Sequence, residues 1–266
     1  HQNNDKYFSE AIMTTDKKKK TIAIEMNIGG EVVRMGAAAK GAGMIDPSMA
    51  TMLAFVTTDA KISRPALSKA LKLATEETFN SITIDGDMST NDSFYVLANG
   101  AAKNPEIQED TEEFGVFTKA LVEVCDCLAK AIVKDGEGAS KFITIDIEGA
   151  QTKEDAINIA FKISNSLLFK TACFGQDPNF GRALAAAGSV LNSHIDPEIV
   201  DFYIGDYLVY KHGEVVIEEC INEVNSYMKK KKVNFKLDLN LGEYKKRVYT
   251  SDISFEYVRV NSAYKT

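Results

Sequence analysis

The residues of this chain best suited to chemistry are Ala50 and Thr51, within Lys40-Gly-Ala-Gly-Met-Ile-Asp-Pro-Ser-Met-Ala-Thr-Met-Leu-Ala-Phe-Val-Thr-Thr-Asp59. If the peptide bond between them breaks, Thr51 carries a nucleophile and a base on one residue: its Oγ attacks, and the freed α-amine takes the proton. An α-amine has an ordinary pKa of roughly 7.7–8.0, so part of it is neutral near physiological pH. An internal threonine has no such partner. Gly41, Gly43 and Ala50 let the backbone bend where an N→O acyl shift needs strain, and Pro47 fixes the turn upstream. The same residues also read as a glycine-rich turn entering a buried strand, Met52-Leu-Ala-Phe-Val56. Spacing alone leaves both readings open.

Other nucleophile systems fit poorly. The histidines are three, His1, His194 and His212, all in polar or loop-like contexts. No G-x-S-x-G elbow occurs, which favours an α-amine as the base. Gly36-Ala-Ala-Ala-Lys-Gly-Ala-Gly43 superficially matches a phosphate loop but lacks the G-K-[ST] ending. Asp85-Gly-Asp-Met-Ser-Thr-Asn-Asp92 is rich in oxygen ligands without the full calcium-loop spacing or its terminal glutamate. It reads as a hydrogen-bonded turn that supports a site rather than reacting. Gln176-Asp-Pro-Asn-Phe-Gly-Arg182 is a turn before a helix, with Arg182 placed to hold carboxylates. Lys40, on its sequence alone, is a solvated lysine in a glycine-rich loop. Glu137, between Gly136 and Gly138, is an acidic turn that lets backbone approach a ligand closely.

Several elements must position these residues. Thr21–Ile28 and Glu31–Arg34 are strands joined at Gly29-Gly30. The strand over Met52–Val56 is followed by a helix from about Ser63, with Pro65 in its first turn. Ser81–Asp85 reads as a short strand delivering the Asp85–Asp92 turn. Phe114, Phe117, Leu121, Val124, Leu128, Ala131 and Ile132 make one stripe of a helix over Thr111–Lys134. The chain restarts after Gly138–Lys141, where a boundary is placed, with a strand over Phe142–Ile147 and a helix over Glu154–Leu168. Tyr203–Tyr210 and Glu214–Ile217 read as hairpin strands, and Val233–Leu239 and Ile253–Val260 as two more. Irregular alternation of strands and helices predicts an α/β or α+β fold with mixed sheets.

Composition is that of a globular domain or two, with 45% hydrophobic and 26% charged residues over 266 positions. A net charge of −7 disfavours general attraction to nucleic acid. The lysine runs Lys17–Lys20 and Lys229–Lys232 carry no interleaved aromatics and read as solvated turns. No apolar run approaches the roughly 20 residues of a membrane helix, and His1-Gln-Asn-Asn-Asp has no signal-peptide pattern. Cys125 and Cys127 point apart on a helix and cannot share a metal. With Cys173 and Cys220 they are expected to be reduced thiols of a cytoplasmic protein.

The Ala50-Thr51 stretch resembles the processing site of the ornithine acetyltransferases, or glutamate N-acetyltransferases, of arginine biosynthesis. So do Glu10–Asp16, Ser81–Asp92, Lys134–Gly138, Lys170-Thr-Ala-Cys-Phe-Gly-Gln-Asp-Pro-Asn-Phe-Gly-Arg182 and Asn261–Thr266, in family order along nearly the whole chain. The resemblance implies a layered α/β/β/α sandwich around the nucleophile with a smaller C-terminal α/β domain. It divides the chain into 1–50, the end of an α chain, 51–140, the nucleophile-bearing part of a β chain, and 141–266, the C-terminal domain. It implies cleavage between Ala50 and Thr51, pieces that stay associated as α2β2, and ping-pong transfer of acetyl from N2-acetylornithine to glutamate through an acetyl-threonine. Acetyl-CoA is a further donor in some members; no metal or cofactor is needed. Thr14, Lys40, Glu137, Asn261 and Thr266 match substrate contacts, and the final strand would fold the terminus back to the site. Family members normally carry a long segment before the position of His1, which holds their oxyanion-hole threonine and glycine. An aminopeptidase or amidase of the same fold, and a truncated non-catalytic remnant, remain as alternatives.

Overall fold

Residues 5–46 and 52–263 are described by the computed structural model, and the chain divides into two compact units, His1–Gly136 and Glu137–Thr266. In the first unit a short helix, α1 (Asp5–Ala11), precedes strands β1 (Lys20–Ile28) and β2 (Glu31–Lys40), paired antiparallel in continuous register from Lys20↔Ala39 to Ile28↔Glu31. Gly29 and Gly30 make the turn with φ of +60° and +89°, the left-handed pair that matches a two-residue turn to the twist of its strands. A Cβ on Gly29 would lie 2.6 Å from the Pro105 ring, so close approach also excludes a larger residue there.

β3 (Leu53–Thr58) pairs antiparallel with β2, and β4 (Ser93–Ala98) pairs parallel with β3. A parallel neighbour needs a crossover, and it contains α2 (Arg64–Glu77), whose N-cap Ser63 accepts a hydrogen bond from Ala66 N. α3 (Glu112–Lys134) starts at the Thr111 cap, with Glu112 and Glu113 in its first turn and Lys134 in its last. Its stripe Phe114, Phe117, Leu121, Val124, Leu128 and Ile132 is buried, with β1 and α2 packed against the helix. Val33, Met35, Ala54 and Val56 are buried in the sheet. Phe55 points to the other face, where Phe8 of α1 meets it edge-on at 5.2 Å and Tyr95 stacks at 5.5 Å.

Ser81–Asp85 is not a strand: Phe79–Ser81 forms a 3-10 turn. Beyond it the chain is clasped to Ile45, whose carbonyl accepts from Thr83 Oγ1 at 2.9 Å and Ile84 N at 2.8 Å. The strand lies further on, at β4, where apolar residues point to both faces and blur the period-2 signal.

The second unit is built on a mixed sheet of order β10-β5-β9-β6-β7-β8: β5 (Phe142–Ala150), β6 (Asp201–Ile204), β7 (Tyr207–Lys211), β8 (Glu214–Val215), β9 (Lys232–Asp238) and β10 (Tyr244–Ser251). Helix α4 (Lys153–Ser164) packs on β5 and β10, burying Ile159 and Ile163 with Ile143, Ile145, Ile147 and Val248. The helix predicted over Glu154–Leu168 breaks at Asn165, because the Ser166 side chain caps a new helix, α5 (Leu167–Phe174). α6 (Phe180–Gly188) starts at the Asn179 cap, and α7 (Ile221–Met228) precedes β9. Tyr203–Tyr210 is two strands turning at Gly205-Asp206. Ile253–Val260 is helical: α8 (Phe255–Ala263) follows Ser254, whose Oγ accepts from Glu256 N at 3.2 Å and Tyr257 N at 3.4 Å. That cap overrides the strand preference of the β-branched Ile253, Val258 and Val260. The last strand is instead β10, an edge strand whose lysines suit an edge.

Candidate functional site

In the first unit, Lys40, Leu53 and Ser93 stand opposite one another across β2, β3 and β4. One residue before Leu53, the amide of Met52 donates to a carboxylate oxygen of Asp92, and Met52 O accepts from Ser93 N at 3.0 Å. Asp85, seven positions earlier on the same loop, accepts from the amides of Met44 at 2.7 Å and Ile45 at 3.0 Å. The acidic turn therefore grips the backbone on both flanks of residues 47–51. Burial pushes the Asp85 carboxyl up, more than its backbone donors pull it down. For Asp92, burial likewise outweighs the lowering by the Met52 amide and the charge of Lys40. Lys40 is 8% exposed, and among the described residues its ammonium has no hydrogen bond or ion pair. A buried cation with no partner is costly, and an anion beside it would offset that cost.

Behind this end of the sheet lies a buried ion network. Lys20 Nζ contacts Asp16 Oδ1 at 2.5 Å and Asp135 Oδ2 at 2.6 Å, with the Lys20 and Asp16 side chains almost wholly buried. Asp16 also accepts from Gly41 N at 2.8 Å and Thr14 N at 3.2 Å, which ties Thr14 and the residue after Lys40 to one carboxylate. Burial raises the Asp16 carboxyl, but Lys20 and the Gly41 and Thr14 amides outweigh it, so its pKa lies below the ordinary value. Asp135 further accepts from Lys17 N at 3.0 Å and Lys18 N at 3.2 Å. Lys20 is thus the centre of a network rather than part of a solvated turn; Lys17, Lys18 and Lys19 are exposed. Its signal was the Asp16-x3-Lys20 spacing just ahead of an apolar strand.

In the second unit, the buried Glu137 accepts from Asn261 Nδ2 at 2.7 Å through Oε2. Helix α8 brings Asn261 there, and the residue after Glu137 fixes how it does so. Gly138 has φ +67°, and a Cβ on it would lie 2.3 Å from Tyr257 N and 2.8 Å from Ser254 Oγ. Ser254 Oγ donates to Gly138 O at 2.6 Å. The glycine, the cap and the helix thus lock together.

Of the residues expected at the site, Thr14 and Lys40 lie in the first unit, and Glu137 and Asn261 meet in the second. Ala50, Thr51 and Thr266 lie outside the described residues. Arg182 holds no carboxylate among the described residues: its guanidinium donates to the carbonyl of Leu168 at 2.8 Å. Cys125 is buried and Cys127 exposed, as their divergence on α3 requires, and burial pushes the Cys125 thiol up to about 12.

Comparison with known proteins bears on all of these residues together. The chain is 48% identical over its full length to the arginine biosynthesis bifunctional protein ArgJ of Dehalococcoides mccartyi (strain CBDB1), of which it covers 65%. It is 45% identical to the glutamate N-acetyltransferase of Methanocaldococcus jannaschii over 97% of its own length and 65% of that protein. The chain thus spans somewhat under two thirds of these relatives. A crystal structure of the arginine biosynthesis bifunctional protein ArgJ from Bacillus halodurans matches with a TM-score of 0.76 and 38% identity, over 80% of this chain and all of that one. The mixed α/β fold with its two sheets is shared with that structure. The model of the ArgJ family matches residues 1–266, and the chain belongs to the ArgJ family.

Proposed function

We propose that the complete protein is a glutamate N-acetyltransferase that cuts itself between Ala50 and Thr51 and moves acetyl from N2-acetylornithine to glutamate. Thr51 Oγ attacks the acetyl carbonyl, its α-amine takes the proton, and ornithine leaves with that proton. The acetyl ester then passes to the amine of glutamate. Acetyl-CoA serves the same ester in a bifunctional enzyme, the description carried by the Dehalococcoides mccartyi relative. Lys40 meets a substrate carboxylate and Glu137 a substrate amine, with Thr14, Asn261 and Thr266 completing the contacts. The pieces remain together as α2β2 in the cytoplasm, and the chemistry needs no metal or cofactor.

One observation carries this reading: two aspartates of a single loop hold the amides on either side of residues 47–51, beside a buried ammonium. That is the bracing a scissile bond and a nucleophile require. Intact mass of the complete protein is expected to show two pieces, the second beginning at Thr51. Thr51→Ala should give one uncut chain and no transfer. Transfer by that uncut variant would assign the nucleophile elsewhere.

A further inference from the structure

We propose that Asp16 is a positioning residue for substrate binding: its two carboxylate oxygens fix Thr14 and the Lys40–Gly41 backbone at one spacing, so that a single substrate meets both side chains. This rests on the reading of Thr14 and Lys40 as substrate contacts. Both holds are in place. Asp16 Oδ2 accepts from Thr14 N at 3.2 Å, and Oδ1 accepts from Gly41 N at 2.8 Å across 25 positions of chain. Thr14 is exposed on a bend beyond α1, whereas Asp16, Lys40 and Gly41 are buried. An exposed contact residue is thus moored to the interior. Lys40 ends β2 opposite Leu53 of β3. The next residue, Gly41, leaves the strand with φ +151°, where a side chain is disfavoured, and its amide is the one that Asp16 takes. Lys40 is therefore pinned on both sides, by the ladder and by the carboxylate.

The position calls for a carboxylate. Three groups meet Asp16 here, the amides of Thr14 and Gly41 and the Lys20 ammonium, and all are donors. An ionised Asp side chain offers acceptors alone. An Asn in its place would turn its NH2 on one of them and release Thr14 or Gly41. The charge is balanced locally, since Lys20 Nζ meets Asp16 Oδ1 at 2.5 Å and Asp135 Oδ2 at 2.6 Å. Lys20 stands opposite Ala39 in the β1–β2 ladder, the residue before Lys40. Two lysines at one end of the sheet are thus treated differently. Lys20 takes up the buried carboxylates, which leaves the Lys40 ammonium to a substrate carboxylate. Binding energy from that contact depends on Lys40 and Thr14 being held in place before the substrate arrives.

The test uses Asp16→Asn in the complete protein, read by steady-state kinetics with N2-acetylornithine and glutamate. KM is expected to rise about 10-fold with a smaller change in kcat, the pattern of lost binding rather than lost chemistry. In a Lys40→Met background the same substitution should raise KM by less than about threefold, because residues that act through one another are not additive. Leu121→Ala, a truncation in the buried stripe of α3, is the control: it should lower the thermal midpoint and leave KM as it is. Should Asp16→Asn fail to fold, Asp16→Asn combined with Lys20→Met, which also withdraws the buried cation, should fold and show the same rise. An unchanged KM in a folded Asp16 variant overturns the proposal. So do an equal rise in both backgrounds, a matching rise in Leu121→Ala, and loss of fold in both Asp16 variants. An unchanged KM in Lys40→Met overturns the substrate reading of Lys40 and this proposal with it, whereas a raised one beside an unmoved Asp16→Asn sinks the proposal alone.

Discussion

Lys40 shows how one residue can be a poor structural choice and a good chemical one. Its ammonium is buried at the end of β2, within reach of the Asp92 charge, yet among the described residues nothing pairs with it. Lys40→Met keeps the length and apolar volume of the side chain while removing the charge. If Lys40 holds a substrate carboxylate, KM should rise about 10–100-fold, the range of a lost hydrogen bond to a charged group, with a smaller change in kcat. The thermal midpoint should stay level or rise, because an unpaired buried cation no longer has to be desolvated. A fall in the midpoint with unchanged KM would make Lys40 structural. The sequence read Lys40 as solvated, because a glycine-rich setting says nothing about what folds over it; the resemblance alone marked it out. Glu137 was legible in part, since two flanking glycines signalled close approach; Asn261 was named by the resemblance, but its pairing with Glu137 has no local signal and comes from α8.

At the scale of elements, local signals were read well where one force dominates. The Gly29-Gly30 hairpin, the Ser63 and Thr111 caps and the stripe of α3 all rest on period or turn chemistry. The reading failed where two forces compete. At 253–260 a serine cap defeated the strand preference of β-branched residues, and at 165–166 a second cap split one apolar stripe into two helices. The Lys20–Asp135 pair, 115 positions apart, leaves no local period, and the Asp16-x3-Lys20 spacing alone did not mark Lys20 as buried. The network gives a signed prediction. A carboxyl whose folded pKa lies below its unfolded value, roughly 3.9 for Asp, adds stability above that value and loses it as pH falls through the folded one. Asp16 is of this kind. Asp85 and Asp92 are shifted upward and act oppositely, favouring the fold as they protonate. Asp16→Asn leaves the buried Lys20 with one carboxylate partner, Asp135, and should cost about 3–5 kcal/mol at pH 7. Its urea midpoint should also fall less steeply than wild type below about pH 5. Parallel pH profiles for the two proteins would remove Asp16 from the acid response.

For the molecule as a whole, the proposed mechanism turns on what becomes of the acetyl group it would store. An ester on Thr51 would be open to any nucleophile that reaches it, and a transferase differs from an amidase of the same fold only in which one does. Under the proposed transfer the acceptor is glutamate, whose carboxylate suits an unpaired buried ammonium such as Lys40. Water makes no use of such a charge. Binding energy gained there would be spent on placing the attacking amine. With donor alone, the complete enzyme is expected to release one equivalent of ornithine in a burst and then stall, its Thr51 peptide heavier by an acetyl group. Glutamate should restart turnover, and initial rates against both substrates should give the parallel lines of a ping-pong sequence. Steady release of ornithine and free acetate without glutamate would mean that water is the natural acceptor, and the protein would then be an amidase built on an acetyltransferase frame.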